Sequence, residues 1–258
     1  MTFTITVLGN ATPYPRPDAA CSGYLLRTDT TAIWVDAGTG TLANLQRHLR
    51  PDTLDAIWIS HTHADHAADL LPAYYALLFA DLDPPAPIPL YGPPGLAHRL
   101  ETFLASTGPN PASAAFEVHE LHDGHRTRVG DIDLTSRAVS HGLPAFGLRA
   151  EHTDAQHHRA VLAYSGDTGP CAALDELALD ADLFLCESEG PTWDHPTPQD
   201  HCTPQDAGAC AAKAGVDRLL ITHVGHRHTP EEAVRRSGAA GYATQGETYQ
   251  VRSRRSPS

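Results

Sequence analysis

The chain has 258 residues, 41% of them hydrophobic, enough for the core of one large α/β domain or two small ones. Its formal net charge of −13 repels polyanions and disfavours a long nucleic-acid footprint. Five scattered cysteines (Cys21, Cys171, Cys186, Cys202, Cys210) make no C-x-x-C pair, the start MTFTITVLG lacks a signal-peptide pattern, and the apolar stretch near Tyr74 to Ala80 is too short to span a bilayer, so a cytoplasmic, membrane-free protein is expected.

Alternation and turn residues predict strands at Thr2 to Leu8, Gly23 to Arg27 and Ala32 to Asp36, then a helix at Thr41 to Leu49 after two glycines. A buried strand, Asp55 to Ser60 (DAIWIS), leads into the run HTHADH at His61 to His66, and a helix follows from Ala67 to Phe79. The prolines Pro84, Pro85, Pro87 and Pro89 end that helix, ahead of a strand at Ile88 to Tyr91 and a helix at Gly95 to Ser106. From Phe116 to Arg149 short alternating strands with turns at Asp123-Gly124 and Gly130-Asp131 read as antiparallel. The last third alternates strand and helix: Val161 to Tyr164, Cys171 to Leu177, Leu183 to Cys186, Thr203 to Ala214, Arg218 to Thr222 and Pro230 to Ala239, closed by a strand at Thr248 to Arg252. Two halves of strands followed by helices predict two sheets stacked face to face with helices outside, in one domain spanning 1–252 with a polar tail at 253–258. Arg252, Arg254 and Arg255 read as part of a solvated end.

HTHADH packs three imidazoles and a carboxylate into one turn at a strand end. Neutral imidazole and ionised carboxylate are what borderline divalent metals bind. The run offers at most two ligands to each of two ions, so a dinuclear site needs three or four further groups, one of them a bridging carboxylate. His141 follows the strand Ile132 to Val139, Asp167 follows VLAYSG, and His223 follows RLLIT. Each alone reads as an ordinary loop or turn residue, and 17 histidines make some coincidence expected. All three stand directly after apolar β runs, however, which places them with HTHADH at one edge of the sheets. His226 and His228 read as entrance or solvent residues, and His152, His157 and His158 as a polar hairpin without a specific task. His195 is a weaker candidate for substrate contact; Tyr14, Trp193 and Tyr242 read more readily as packing than as base-stacking residues.

The order H-x-H-x-D-H, His, Asp, His resembles that of the metallo-β-lactamase superfamily. The resemblance covers nearly the whole chain, through VLGNATPYP, SGYLLR, IWVDAGTG and ITHV, and implies a four-layer αββα sandwich. It is closest to the ribonuclease Z-like branch, on Glu187 at the end of LFLCE and the segment HCTPQDAG from His201. The resemblance implies two divalent ions, Zn2+ foremost with Mn2+ or Fe2+ as alternatives. His61, His63 and His141 would bind one, Asp65, His66 and His223 would face the other, and Asp167 would bridge. The expected chemistry is phosphodiester hydrolysis by a metal-bridging hydroxide that Asp65 orients. His201 would protonate the leaving oxygen, Glu187 would orient His201, and Thr203 is the expected helix N-cap beside them. Only 25 residues separate His141 from Asp167, which leaves no room for the protruding arm of the tRNA-processing members. The chain therefore resembles compact, armless members such as atypical class II cyclic-nucleotide phosphodiesterases. That likeness implies a small phosphodiester substrate, 3′,5′-cyclic AMP first, cleaved to the 5′-monophosphate, and a homodimer. A lactonase or thioesterase with the same metals, a tRNA 3′-processing endonuclease and a non-catalytic nucleotide sensor are the alternatives.

Overall fold

The computed structural model describes residues 2–104, 111–190 and 200–253. Trp193, His195 and the tail beyond Ser253 lie outside the described residues. Strands β1 (Thr4–Gly9), β2 (Gly23–Arg27), β3 (Ala32–Val35), β4 (Ala56–Trp58), β5 (Ile88–Gly92) and β6 (Phe116–Glu120) form one sheet, in the order β14-β1-β2-β3-β4-β5-β6, with β14 at Thr248–Gln250. The second sheet runs β13-β12-β11-β10-β9-β8-β7. Its strands are β7 (Arg126–Val129), β8 (Ile132–Ala138), β9 (Phe146–Thr153), β10 (Arg159–Tyr164), β11 (Leu183–Ser188), β12 (Leu219–Val224) and β13 (Gly241–Tyr242).

Alternation along each strand sorts the side chains into layers. Ile5, Tyr24, Ile33 and Trp58 of the first sheet meet Leu148, Leu162, Leu185 and Leu220 of the second in a shared core. The intervening residues face outward: Leu25, Trp34 and Ile57 pack under α1 (Thr41–Leu45), α3 (Leu70–Phe79) and α4 (Leu96–Leu104). Phe184, Cys186 and Ile221 pack under α5 (Ala172–Ala178), α6 (Pro204–Lys213) and α7 (Pro230–Ser237). Burial on both faces is why AIWV, LFLC and LLIT read as continuous apolar runs. The result is the expected four-layer αββα sandwich, and among the described residues no helix is long and apolar enough to cross a membrane.

Parallel pairing positions the site. β3 to β6 are parallel, as are β10 to β13, whereas β14-β1-β2-β3 and β7 to β10 are antiparallel. Loops after the carboxyl ends of parallel strands are where open α/β sheets gather ligands. Four sequence expectations change. β6 pairs in parallel with β5 and closes the first sheet, so the antiparallel series begins only at β7. The helix after HTHADH is two pieces, α2 (Ala64–Ala67) and α3, and Asp65 and His66 already lie within the first. His223 lies inside β12 and does not follow it. The short β13 was not anticipated, because two residues carry no period.

Candidate metal centre

His61 and His63 leave β4 through Ser60, Asp65 and His66 ride on the first turn of α2, His141 follows β8, Asp167 follows β10 and His223 sits in β12. β12 bulges at His223: Glu187 pairs with Thr222 and Ser188 with Val224, leaving His223 as the extra residue at φ 49°. A bulge re-aims the side chain it carries. The HTHADH loop is held down by close backbone approach at Gly38, where a Cβ would stand 2.0 Å from the Asp65 carbonyl oxygen.

All seven predicted ligands converge. His61 Nε2 lies 3.1 Å from His63 Nδ1, which lies 3.2 Å from His141 Nε2, and Asp167 Oδ2 is 3.5 Å from His61 Nε2. On the other side His66 Nε2 is 3.2 Å from Asp167 Oδ1 and 3.8 Å from Asp65 Oδ2. His223 Nε2 is 3.3 Å from Asp167 Oδ2 and 3.9 Å from Asp65 Oδ2. Asp167 thus belongs to both groups. Two ligands of one tetrahedral zinc, each about 2.0–2.2 Å from it, stand about 3.3 Å apart; the contacts among His61, His63, His141 and Asp167 have that spacing, and those of Asp65, at 3.8 and 3.9 Å, are wider.

The far ring nitrogens settle which atoms face inward. Asp36 Oδ2 accepts from His66 Nδ1 (2.8 Å), from Ser60 Oγ (2.8 Å) and from the Tyr164 hydroxyl (2.7 Å), while Oδ1 accepts from Ser60 N (2.7 Å). Because the Ser60 hydroxyl hydrogen is committed to Asp36, His61 Nδ1 must donate to Ser60 Oγ at 3.0 Å. His141 Nδ1 donates to the Asp200 carbonyl at 2.9 Å, and His223 Nδ1 bonds Ser22 Oγ at 2.8 Å. His61 and His141 therefore present lone pairs to the interior. A histidine whose other N–H is tied to a carboxylate or carbonyl is the usual arrangement of a metal ligand. Among the described residues, buried His66 Nε2, Asp167 Oδ1 and His223 Nε2 have no hydrogen-bond partner. These atoms fit divalent ions, which satisfy lone pairs that no donor reaches.

Protonation follows burial and charge. Burial, with help from His66, holds His61 well below the usual imidazole range, and burial with His141 lowers His63. Burial opposes a charge on His66 too, but Asp167 and Asp36 together outweigh it and raise the ring to about 10, so a divalent ion on Nε2 would take the place of a proton. For His201, burial is outweighed by the hydrogen bond and charge of Glu187, and the ring rises to about 9.

His201 Nδ1 donates to Glu187 Oε1 at 2.9 Å, and its ring centre lies 5.0 Å from that of His141. Glu187 is fully buried and also accepts from Thr168 N, Cys202 N and Glu189 N. It faces His201 and backbone, and its bond to Nδ1 fixes the His201 ring. Thr203 caps α6 through a capping box with Asp206, which fixes the loop carrying His201. Among the seven candidate ligands, His63 and His141 are the more open to solvent.

The structure also shows what the sequence reading missed. Asp36 stands after AIWV as Asp167 stands after its own strand, so the same signal was there to find it. Ser22, Ser60 and Tyr164 carry no such signal, because their role depends on which ring the fold brings beside them. Glu189 joins Asp167, His201 and His223 in a fourfold cluster. His152 is not an idle hairpin residue: it is buried against Phe3, and Nδ1 donates to the Asp131 carbonyl at 3.2 Å.

The family profile described as "Beta-lactamase superfamily domain" matches residues 31–224, which contain every one of these ligands. The chain belongs to the beta-lactamase superfamily. It is a metallo-β-lactamase-fold hydrolase with ribonuclease Z-like relatives. It is 39% identical over 226 residues to Rv1339 of Mycobacterium tuberculosis, covering 85% of this chain and 80% of that one. It is 32% identical over 245 residues to Ribonuclease Z of Mycobacterium marinum, covering 85% of each. In fold it is similar to the metallo-β-lactamase fold protein YhfI of Bacillus subtilis (TM-score 0.79, 23% identity, 96% of this chain and 100% of that one). It is similar also to the short form of human tRNase Z (TM-score 0.76, 22% identity, 96% and 99%).

Proposed function

We propose that this metallo-β-lactamase-fold hydrolase is a dinuclear-metal phosphodiesterase that cleaves a small cyclic nucleotide, 3′,5′-cyclic AMP first, to the 5′-monophosphate. The observation that carries the reading is the Glu187–His201 pair beside the metal centre: an acid held next to a divalent-ion site suits a bond whose leaving group is an alkoxide. His61, His63, His141 and Asp167 would hold one ion, and Asp65, His66, His223 and Asp167 the other. Bound there, two divalent ions lower the pKa of water toward neutrality and withdraw charge from phosphoryl oxygens.

The chain's own residues do the rest. Asp65, 3.8 and 3.9 Å from the inward nitrogens of His66 and His223, would accept a hydrogen bond from the attacking water, orient it toward phosphorus and take up the proton it loses as the new P–O bond forms. His201, charged near neutral pH through Glu187, hydrogen-bonds the phosphate through Nε2 and passes that proton to the departing ribose oxygen. Glu187, satisfied by three backbone N–H groups, keeps Nδ1 protonated and so keeps Nε2 the atom that exchanges protons.

A small substrate is supported by what joins the ligands. The residues between His141 and Asp167 form only β9, its hairpin and β10, within the second sheet, with no projecting arm. The net charge of −13 also disfavours a large polyanion. The second reading, tRNA 3′ processing, is favoured by the likeness to Ribonuclease Z. Protein loaded with Zn2+ or Mn2+ is assayed against cyclic nucleotides and a trailer-bearing tRNA transcript. Turnover of cyclic AMP to 5′-AMP supports the proposal; cleavage of the transcript alone replaces it with the second reading, and no turnover of either refutes both.

A further inference from the structure

The centre contains one more carboxylate than its seven-ligand set requires. Glu189 lies one residue beyond β11 and turns back over His223, its Oε2 3.0 Å from His223 Nε2. The same oxygen accepts from the Thr12 hydroxyl at 2.6 Å, so the loop between β1 and β2 holds it in place. His223 Nε2 is the atom aimed into the centre, because Ser22 occupies Nδ1. The His223 side chain is 2% exposed, and among the described residues Nε2 has no hydrogen-bond partner although Glu189 Oε2 and Asp167 Oδ2 stand 3.0 and 3.3 Å away. Both oxygens are near enough but lie off the direction a hydrogen bond needs. Oxygens and a buried nitrogen gathered at this spacing without hydrogen-bond alignment are arranged as ligands around a common ion.

Charge points the same way. Among the described residues the ionic neighbours of Glu189 are His223 and, at 4.0 Å, His201, which already serves Glu187. An ion on Nε2 uses the lone pair of a neutral ring, so the ion itself becomes the countercharge of Glu189. A largely enclosed carboxylate needs one.

We propose that Glu189 is an additional ligand of the ion held by Asp65, His66 and His223, filling the coordination position on the His201 side. The two halves of the centre then differ. One is built from three imidazoles and Asp167; the other holds two imidazoles and three carboxylates, a harder donor set that favours a higher coordination number. A phosphate oxygen reaching that ion from the His201 side meets Glu189 first and must displace it or share the ion with it.

The inference rests on the dinuclear reading above but not on any substrate, and its test is metal binding. Equilibrium dialysis against Zn2+ compares the wild type with Glu189→Gln, which keeps the shape but removes the charge, and with Thr12→Val, which removes only the hydroxyl that holds Glu189. Glu189→Gln is expected to weaken one of two ions about 10- to 100-fold and leave the other unchanged, with a smaller loss for Thr12→Val. In the Co2+-loaded protein the visible d–d bands should intensify in Glu189→Gln as one ion loses a ligand. Two ions of unchanged affinity and an unchanged Co2+ spectrum in Glu189→Gln overturn the role of Glu189 alone. A wild type that binds fewer than two ions overturns it together with the dinuclear reading.

Discussion

Asp36 is not itself one of the seven expected ligands, yet replacing it by asparagine should damage the metal centre more than most changes at its rim. Its carboxylate is fully buried and accepts four hydrogen bonds, three of them on Oδ2. An asparagine that keeps its oxygen at the Oδ2 position retains those three acceptor contacts but turns its NH2 toward the Ser60 N–H, donor against donor. One orphaned buried donor costs about 1–3 kcal/mol, and three charge-assisted bonds become neutral ones at a further few tenths to 1 kcal/mol each, for a total of about 2–6 kcal/mol. Metal affinity should fall about 10- to 100-fold, because the partner that fixes and polarises His66 has been weakened. Tyr164→Phe is the control: it removes one donor and leaves Asp36 three, so it should cost about 1–2 kcal/mol and little metal affinity. Urea unfolding of the metal-loaded variants and competition with a chelator measure the two quantities. An Asp36→Asn protein within 1 kcal/mol of wild type, with full metal affinity, would refute the claim that Asp36 organises the centre.

The remaining expectations are narrower. His201→Ala should lower kcat on a cyclic nucleotide about 10²- to 10⁴-fold yet barely change cleavage of a carboxylic ester, and Glu187→Gln should show a milder version of the same split; equal losses on both substrates would remove His201 from leaving-group protonation. Gly38→Ala places a methyl against the Asp65 carbonyl at 2.0 Å and should destabilise the protein by about 1–3 kcal/mol in thermal or urea unfolding while reducing bound metal; a neutral effect would mean the HTHADH loop is free to shift. Burial pushes the Asp131 carboxyl up, but hydrogen bonds from Thr31 and Thr28 outweigh it and leave it below the usual aspartate range. Its contribution is therefore complete above the ordinary aspartate pKa and lost as pH falls through the lower folded value, so Asp131→Asn should flatten the acid limb of stability measured by urea unfolding between about pH 5 and about pH 3, roughly the aspartate titration range.

The residues that converge at the candidate centre are legible because each couples two local signals, an apolar run and a ligand type directly after it. The layers were legible for the same reason, since strands buried on both faces stand out as unbroken apolar runs. What stayed hidden depends on contacts between distant segments. The place of β6 is set by its parallel partner β5, and alternation within Phe116 to Glu120 cannot name that partner. Glu189 looks like a turn residue after LFLCES until the Thr12 loop and the bulged His223 are brought beside it. His152 reads as polar by composition, whereas it is buried against Phe3 from the start of the chain.

The central claim is that these residues hold two divalent ions which together make the protein a phosphodiesterase. Titrating the metal-free protein with Zn2+ while following hydrolysis of bis-p-nitrophenyl phosphate tests it most directly. Activity should rise and break at two equivalents of metal per chain; no turnover at any loading, or a plateau already reached at one equivalent, would contradict the account.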